Sequence, residues 1–194
     1  MKILILTGTF SQIEHSKPTA LQKVDGKLWL DLQIEKIKPL NCEIEIVLGK
    51  NNSEEILRNS LYTKECSIVY DPNEEESGLL SNLRAGLYST YNTCLVIHSN
   101  MQVPRLGVFQ KVIGKSFQLL DTQTDIIRPY CPQLGQMTPG FPLGITLKGK
   151  KKLLEHSEIN SLNDSQIIEY KLPVLDQKIF APLTQHSFCS ENAG

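Results

Sequence analysis

The chain is short of charge of either sign in excess. Its 20 Lys and Arg stand against 21 Asp and Glu, a net charge of −1 over 194 residues. No global field therefore draws in nucleic acid or an acidic membrane surface. It also lacks paired cysteines: Cys42, Cys66, Cys94, Cys131 and Cys189 are odd in number, scattered, and form no C-x-x-C. That argues against a disulfide framework and against a cysteine-built zinc site, and fits reduced thiols in a cytoplasm. No apolar run approaches the roughly 20 residues that span a bilayer. The run after Met1, "KILILT", is too short for the core of a signal peptide. The expectation is a cytoplasmic protein with no membrane contact. Three nucleotide or hydrolase signatures are missing as well: G-x-x-x-x-G-K-[ST], G-x-G-x-x-G and G-x-S-x-G. There is no internal repeat and no low-complexity linker. One domain over residues 1–186 is expected, with the small polar end 187–194 as a disordered tail.

What is present is an alternation. "KILILT" (2–7), "EIEIVL" (43–48), "SIVY" (67–70) and "CLVIH" (94–98) are short apolar runs rich in β-branched residues, and read as strands. Cys94 within the last of them reads as a small buried hydrophobe. Between the strands, 27–37, 53–62 and 79–91 carry apolar residues at helical spacing, such as Leu30, Ile34 and Ile37, or Leu80, Leu83 and Leu87. Asn52 with Glu55 makes a helix start, and Pro39 a helix stop. The second half is less regular. "TDIIRPY" (124–130), "PLGITL" (142–147) and "SQIIEYKLPV" (165–174) read as strands, "KKKLLEHS" (150–157) as a helix, and 131–141 as an ordered loop or lid. The basic cluster Lys148–Lys152 reads as a solvated helix start.

Strand and helix in alternation predict an α/β fold of three layers, a mostly parallel sheet with helices on both faces. Ligands of such folds lie beyond the carboxyl ends of the strands. Four loops leave those ends: Gly8–Lys17, Gly49–Ser53, Asp71–Gly78 and Ser99–Pro104. Taken by themselves, their residues admit plain readings. Lys17 is a loop lysine before Pro18, Gly8 serves backbone geometry, and Asp71 is a turn residue before Pro72. His98 and His15 need no special role. Ser99 and Asn100 offer hydrogen bonds to a ligand, and Trp29 reads as core of the first helix.

In "LTGTFSQIEHSK" Gly8 and Lys17 stand nine residues apart directly after the first strand. "PTALQKVDGK" follows with Gly26 and Lys27, and "DPNEEESGLLSNLRAGL" offers Asp71, Gly78, Leu79, Leu80 and Leu83, with Asn82 where a second glycine is usual. "CLVIHSNMQVP" closes the fourth strand, and "TPGFPLGITLKGKKKLLE" places Phe141 between Gly140 and Pro142. In this order the fragments resemble the MobA/MocA-like nucleotidyltransferases, whose opening signature runs L-A-G/A-G-x-S-x-R-M-G-x-x-K. Later come an aspartate before G-P-L-A-G-I, a strand ending in D-M-P, and G-H-P before a helix. The resemblance implies a Rossmann-like architecture of the nucleotide-diphospho-sugar transferase type. It implies transfer of NMP from an NTP, CTP or GTP, to a phosphorylated acceptor, either molybdopterin-like or a sugar or polyol phosphate. It makes Gly8, Thr9, Lys17, Asp71, Gly78, Asn82 and Asn100 nucleotide-binding positions, with Lys17 the catalytic cation on the leaving pyrophosphate.

The chemistry asks for charge neutralisation and positioning. Backbone N–H groups cup the phosphates, cations cover the pyrophosphate, and carboxylates hold Mg²⁺. Here the resemblance is incomplete. Gln12 stands at the arginine position, Phe10 at the serine, Glu14 at a glycine, and Asn100 at the strand-end aspartate. No acid falls in "IFAPLTQHSF", where a late aspartate motif belongs, which leaves Asp176 and Asn100 as the metal candidates. Each such loss typically costs on the order of 10²–10³ in rate. The expectation is therefore an impaired nucleotidyltransferase. The alternative is a non-catalytic module that binds a nucleotide or phosphorylated ligand, or docks on a protein partner.

Overall fold

A computed structural model describes residues 1–8, 19–49, 53–132 and 140–176, with residues 74–77 given by their backbone alone. The loop residues Thr9, Phe10, Gln12, Glu14, His15 and Lys17, together with Asn52, the segment 133–139, "IFAPLTQHSF" and the tail 187–194, lie outside the described residues.

The elements run in chain order β1 (Lys2–Leu6), β2 (Lys23–Val24), β3 (Lys27–Leu28), α1 (Trp29–Ile37), β4 (Glu43–Leu48), α2 (Ser53–Asn59), β5 (Ser67–Tyr70), α3 (Glu74–Tyr88), β6 (Cys94–His98), α4 (Leu106–Gln118), β7 (Ile126–Tyr130), β8 (Leu143–Ile145), α5 (Leu147–Glu155) and β9 (Glu169–Pro173). Seven strands form one sheet in the order β5-β4-β1-β6-β8-β7-β9. Strands β5, β4, β1 and β6 are parallel, as are β7 and β9; β8 runs antiparallel to both its neighbours. The expected three-layer, mostly parallel sheet is present.

Period-two alternation in the central strand decides the layers. Ile3 and Ile5 pack with Leu30 and Ile34 of α1, Ile56 of α2 and Phe109 and Val112 of α4. Leu4 and Leu6 pack with Leu80, Leu83 and Leu87 of α3 and Leu153 of α5. Since β1 is covered on both faces, it reads as a continuous apolar run. Arg84 of α3 joins two elements of the second face. Its guanidinium donates to the carbonyls of Leu153 (2.8 Å), His156 (3.0 Å) and Ile159 (2.9 Å), closing the end of α5 from outside.

Several boundaries differ from the sequence reading. The first helix begins at Trp29, because 23–28 form a hairpin turned on Asp25 and Gly26, both at positive φ. Trp29 itself is half-buried. Pro39 lies within a short 3-10 turn, Lys38–Leu40, that extends α1. The second helix stops at Asn59, and the third spans 74–88 in place of 79–91. Helix α4 answers to no reading of the sequence. The lysine cluster is more than solvated: Lys152 Nζ meets the buried carboxylate of Asp125 at 2.5 Å. Cys94 is fully buried, and burial pushes its thiol up to about 12. Among the described residues no helix is long and apolar enough to cross a membrane.

Candidate functional site

Strand β1 sits between β4 and β6, which the chain reaches by crossing in opposite directions. The carboxyl end of β1 is thus the topological switch point, where the flanking loops diverge and leave a crevice. Thr7 ends the ladder there, with its N–H and hydroxyl both donating to the Val47 carbonyl at 3.0 and 2.9 Å. Gly8 is the next residue and the last one described before the loop.

Gly8 is held by a residue 74 positions away. Its N–H donates to Asn82 Oδ1 at 3.0 Å, and Asn82 Nδ2 in turn donates to Asp71 Oδ2 at 2.8 Å. The other oxygen of Asp71 accepts from the Ser81 hydroxyl (2.8 Å) and the Asn73 N–H (2.9 Å). Asp71, Ser81 and Asn82 are all buried. A Cβ on residue 8 would lie 2.9 Å from the Asn82 amide carbon, so glycine here is required by close approach. Helix α3 delivers Ser81 and Asn82 because it is kinked. Gly78 stands inside it at φ 56°, ψ −129°, a conformation that L side chains rarely adopt.

The second wall is the end of β6. The Ser99 N–H donates to the Leu6 carbonyl at 2.9 Å, so the ends of β1 and β6 are in direct contact. His98 is buried, and the Asn100 N–H donates to its Nδ1 at 3.1 Å, while the Asn100 side-chain amide closes on the same nitrogen. Burial pushes the imidazole down to about 4; hydrogen bonds to Asn100 and to the Gly8 backbone act against that. His98 is thus neutral near pH 7. Gln33 of α1 holds the turn from below, donating to the carbonyls of His98 (3.3 Å) and Met101 (2.9 Å).

The sequence-predicted positions Gly8, Asp71, Asn82 and Asn100 thus meet around one crevice, with Gly78 supplying the kink. Thr9 and Lys17 lie outside the described residues. Asp176 follows β9, which runs in the same direction as β6, and its Oδ2 accepts the N–H of Arg105, five residues beyond Asn100, at 2.7 Å. Asp71 faces inward, its carboxylate occupied by Asn73, Ser81 and Asn82. The family resemblance implies Mg²⁺, yet the described donor set does not fit it. Mg²⁺ sites rely on one or two carboxylates, whereas Asn100 brings an amide folded onto His98. Among the described residues no three His, Cys, Asp or Glu side chains form a metal-holding group. Ser81, Gln33 and His98 are the contributions that sequence reasoning missed. The one signal for Ser81 and Asn82 was their place within a helix, where such side chains do poorly unless they bond elsewhere.

No family model matches the chain, and no curated protein matches it. Solved structures do. The 4-diphosphocytidyl-2C-methyl-D-erythritol synthase from Anaerococcus prevotii superposes with a TM-score of 0.70 at 14% identity, over 99% of this chain and 96% of that one. Molybdopterin-guanine dinucleotide biosynthesis protein A from Archaeoglobus fulgidus gives 0.68 at 16% identity, over 90% and 84%. HddC from Yersinia pseudotuberculosis, complexed with GMP-PN, gives 0.62 at 13% identity, over 90% and 91%. The chain is therefore similar in fold to MobA-like nucleotidyltransferases, with its crevice at the carboxyl edge of the parallel strands.

Proposed function

We propose that the chain binds a nucleoside triphosphate, CTP or GTP, in the crevice at Gly8, and that it transfers NMP to a phosphorylated acceptor slowly at best. The observation that carries this reading is the position of Gly8 at the switch point of the sheet, tied to Asn82 and set against His98. A fixed glycine at the mouth of a phosphate-receiving loop orients the backbone N–H groups that follow it. The structural neighbours support the ligand class: one is held with GMP-PN, and another is named for a cytidyl product.

In the proposed reaction an acceptor phosphate oxygen attacks the α-phosphorus of the NTP. A P–O bond forms as the bond to the β-phosphate breaks, and pyrophosphate leaves. The chain's own part is positioning. The neutral wall of Asn82, His98 and Asn100 orients by hydrogen bonding, and Lys17 supplies the cation for the pyrophosphate. Among the described residues no pair of carboxylates faces this wall to hold a metal. One feature favours the alternative reading, a binder without turnover: Asn100 is folded onto His98. Neither an acceptor of the molybdopterin type nor a protein partner is favoured by a particular observation.

Two measurements separate the readings. Titration calorimetry with CTP, GTP and their monophosphates is expected to show triphosphate binding that weakens about tenfold on Lys17→Ala, a loss typical of one charged contact. Absence of binding by every nucleotide would end both readings. Pyrophosphate release with phosphorylated acceptors is expected at or below about 10⁻² of an intact enzyme's rate. Full turnover would show that the crevice holds its metal by residues outside those described.

A further inference from the structure

A second cavity lies at the other edge of the sheet. Ile145 of β8 pairs with Cys94, the first residue of β6, so α5 begins at the amino edge of the parallel strands, away from Gly8. Between α5 and the turn ahead of β7 is an open cavity of about 650 Å³. That is within the size range of small-ligand sites. Its apolar lining comes from Leu120, Leu147 and Leu154 and from the stems of Lys148, Lys150 and Lys151. Leu120 and Leu147 are 51% and 53% exposed, high for leucine. Among the described residues no aromatic ring lines the cavity to offer a stacking surface to a nucleotide base.

The charge there is unbalanced in an informative way. In the run Lys148–Lys152, Lys152 is neutralised by Asp125. Lys148 donates to the Gln123 side chain and Lys150 to the Thr90 carbonyl, which satisfy hydrogen bonds and leave the charges standing. Lys151 is exposed. Asp121 and Glu155 also line the cavity, and among the described residues the ion pairs join neither to these lysines. These cations, moreover, lie in the first turns of α5, which has no acidic residue in its first turn. The positive end of a helix dipole disfavours them there and favours an anion. An aliphatic cavity whose lining carries three ammonium groups against two carboxylates, at a helix start, is complementary to one kind of ligand.

We propose that this cavity binds a free aliphatic carboxylate: the chain lies on the leucines and lysine stems, and the carboxylate meets Lys148 and Lys151. The site is independent of the nucleotide reading. Decanoate is the probe, followed by titration calorimetry and by amide NMR shifts. Saturable one-to-one binding is expected, with shifts confined to 120–123 and 147–155. 1-Decanol and decyltrimethylammonium are each expected to bind about tenfold more weakly, since they keep the chain and remove or invert the charge. Lys148→Glu with Lys151→Glu is expected to weaken decanoate about tenfold and leave thermal unfolding within a few degrees. Equal affinity for decanoate and decyltrimethylammonium would overturn the proposal, as would shifts centred elsewhere or no saturation. If the double variant unfolds, the contrast among the three probes on the unaltered chain still decides.

Discussion

The two edges of the sheet handle polarity in opposite ways. At the carboxyl edge, a chain of buried neutral donors and acceptors runs from Gly8 through Asn82, with one carboxylate, Asp71, saturated by hydrogen bonds. At the amino edge, charges meet as ion pairs: Lys152 with Asp125 at 2.5 Å and Lys2 with Glu45 at 2.7 Å. The first arrangement fixes directions, because hydrogen bonds among short side chains have narrow geometry. The second joins helix α5 and strand β4 to their neighbours, and its strength depends on both partners staying in place. Under the proposed function, a crevice that receives a triphosphate gains from walls already oriented by hydrogen bonds.

The largest effect that would test this contrast is Asp71→Ala. It strands the buried donors of Ser81 and Asn82 and should lower stability by about 4 kcal/mol, read by urea denaturation. A loss below about 1 kcal/mol would mean that the Gly8–Asn82–Asp71 chain is ornament. Lys152→Ala should cost about 3 kcal/mol, since it leaves Asp125 buried without its cation. Lys152→Met with Asp125→Asn should recover most of that. If the double variant is as unstable as the single one, the amino edge is not held by charge.

His98 gives the third test, through pH. Its folded pKa, about 4, lies below the ordinary 6.5. Between those values the unfolded chain binds the extra proton, so stability falls as pH drops from about 6.5 towards 4 and is flat above. The expected loss by pH 4 is roughly 2–3 kcal/mol, and His98→Gln should remove that part of the slope. The smallest effect is expected from Gly8→Ala, about 1–2 kcal/mol, because the added methyl must displace the Asn82 amide. A sharper readout there is nucleotide affinity, which should fall as well.

The first half of the fold was legible because its signals are local. Each parallel strand is a continuous apolar run, and each run is followed by helical spacing. Helix α4 was not, since Gly107 and Gly114 interrupt it and Val108, Val112 and Ile113 are weak helix formers. The hairpin before α1 was hidden for another reason: Asp25 and Gly26 signal a tight turn, but the strands on either side are two residues each. At the site, the family resemblance pointed to Gly8, Asp71, Asn82 and Asn100 as members. It gave no hint that Asn82 grips Gly8, because that contact joins residues 74 apart and depends on the kink at Gly78. Nor did it show that Asn100 would close on His98.

Arg84 has a consequence for how the molecule opens. A helix normally frays from its carboxyl end, where carbonyls have no partners. In α5 those carbonyls are held by a side chain rooted in α3, the helix that also carries Ser81 and Asn82. The end of α5 and the middle of α3 should then lose protection against hydrogen exchange as one cooperative unit. Opening of the crevice wall would be felt first by a helix on the far rim.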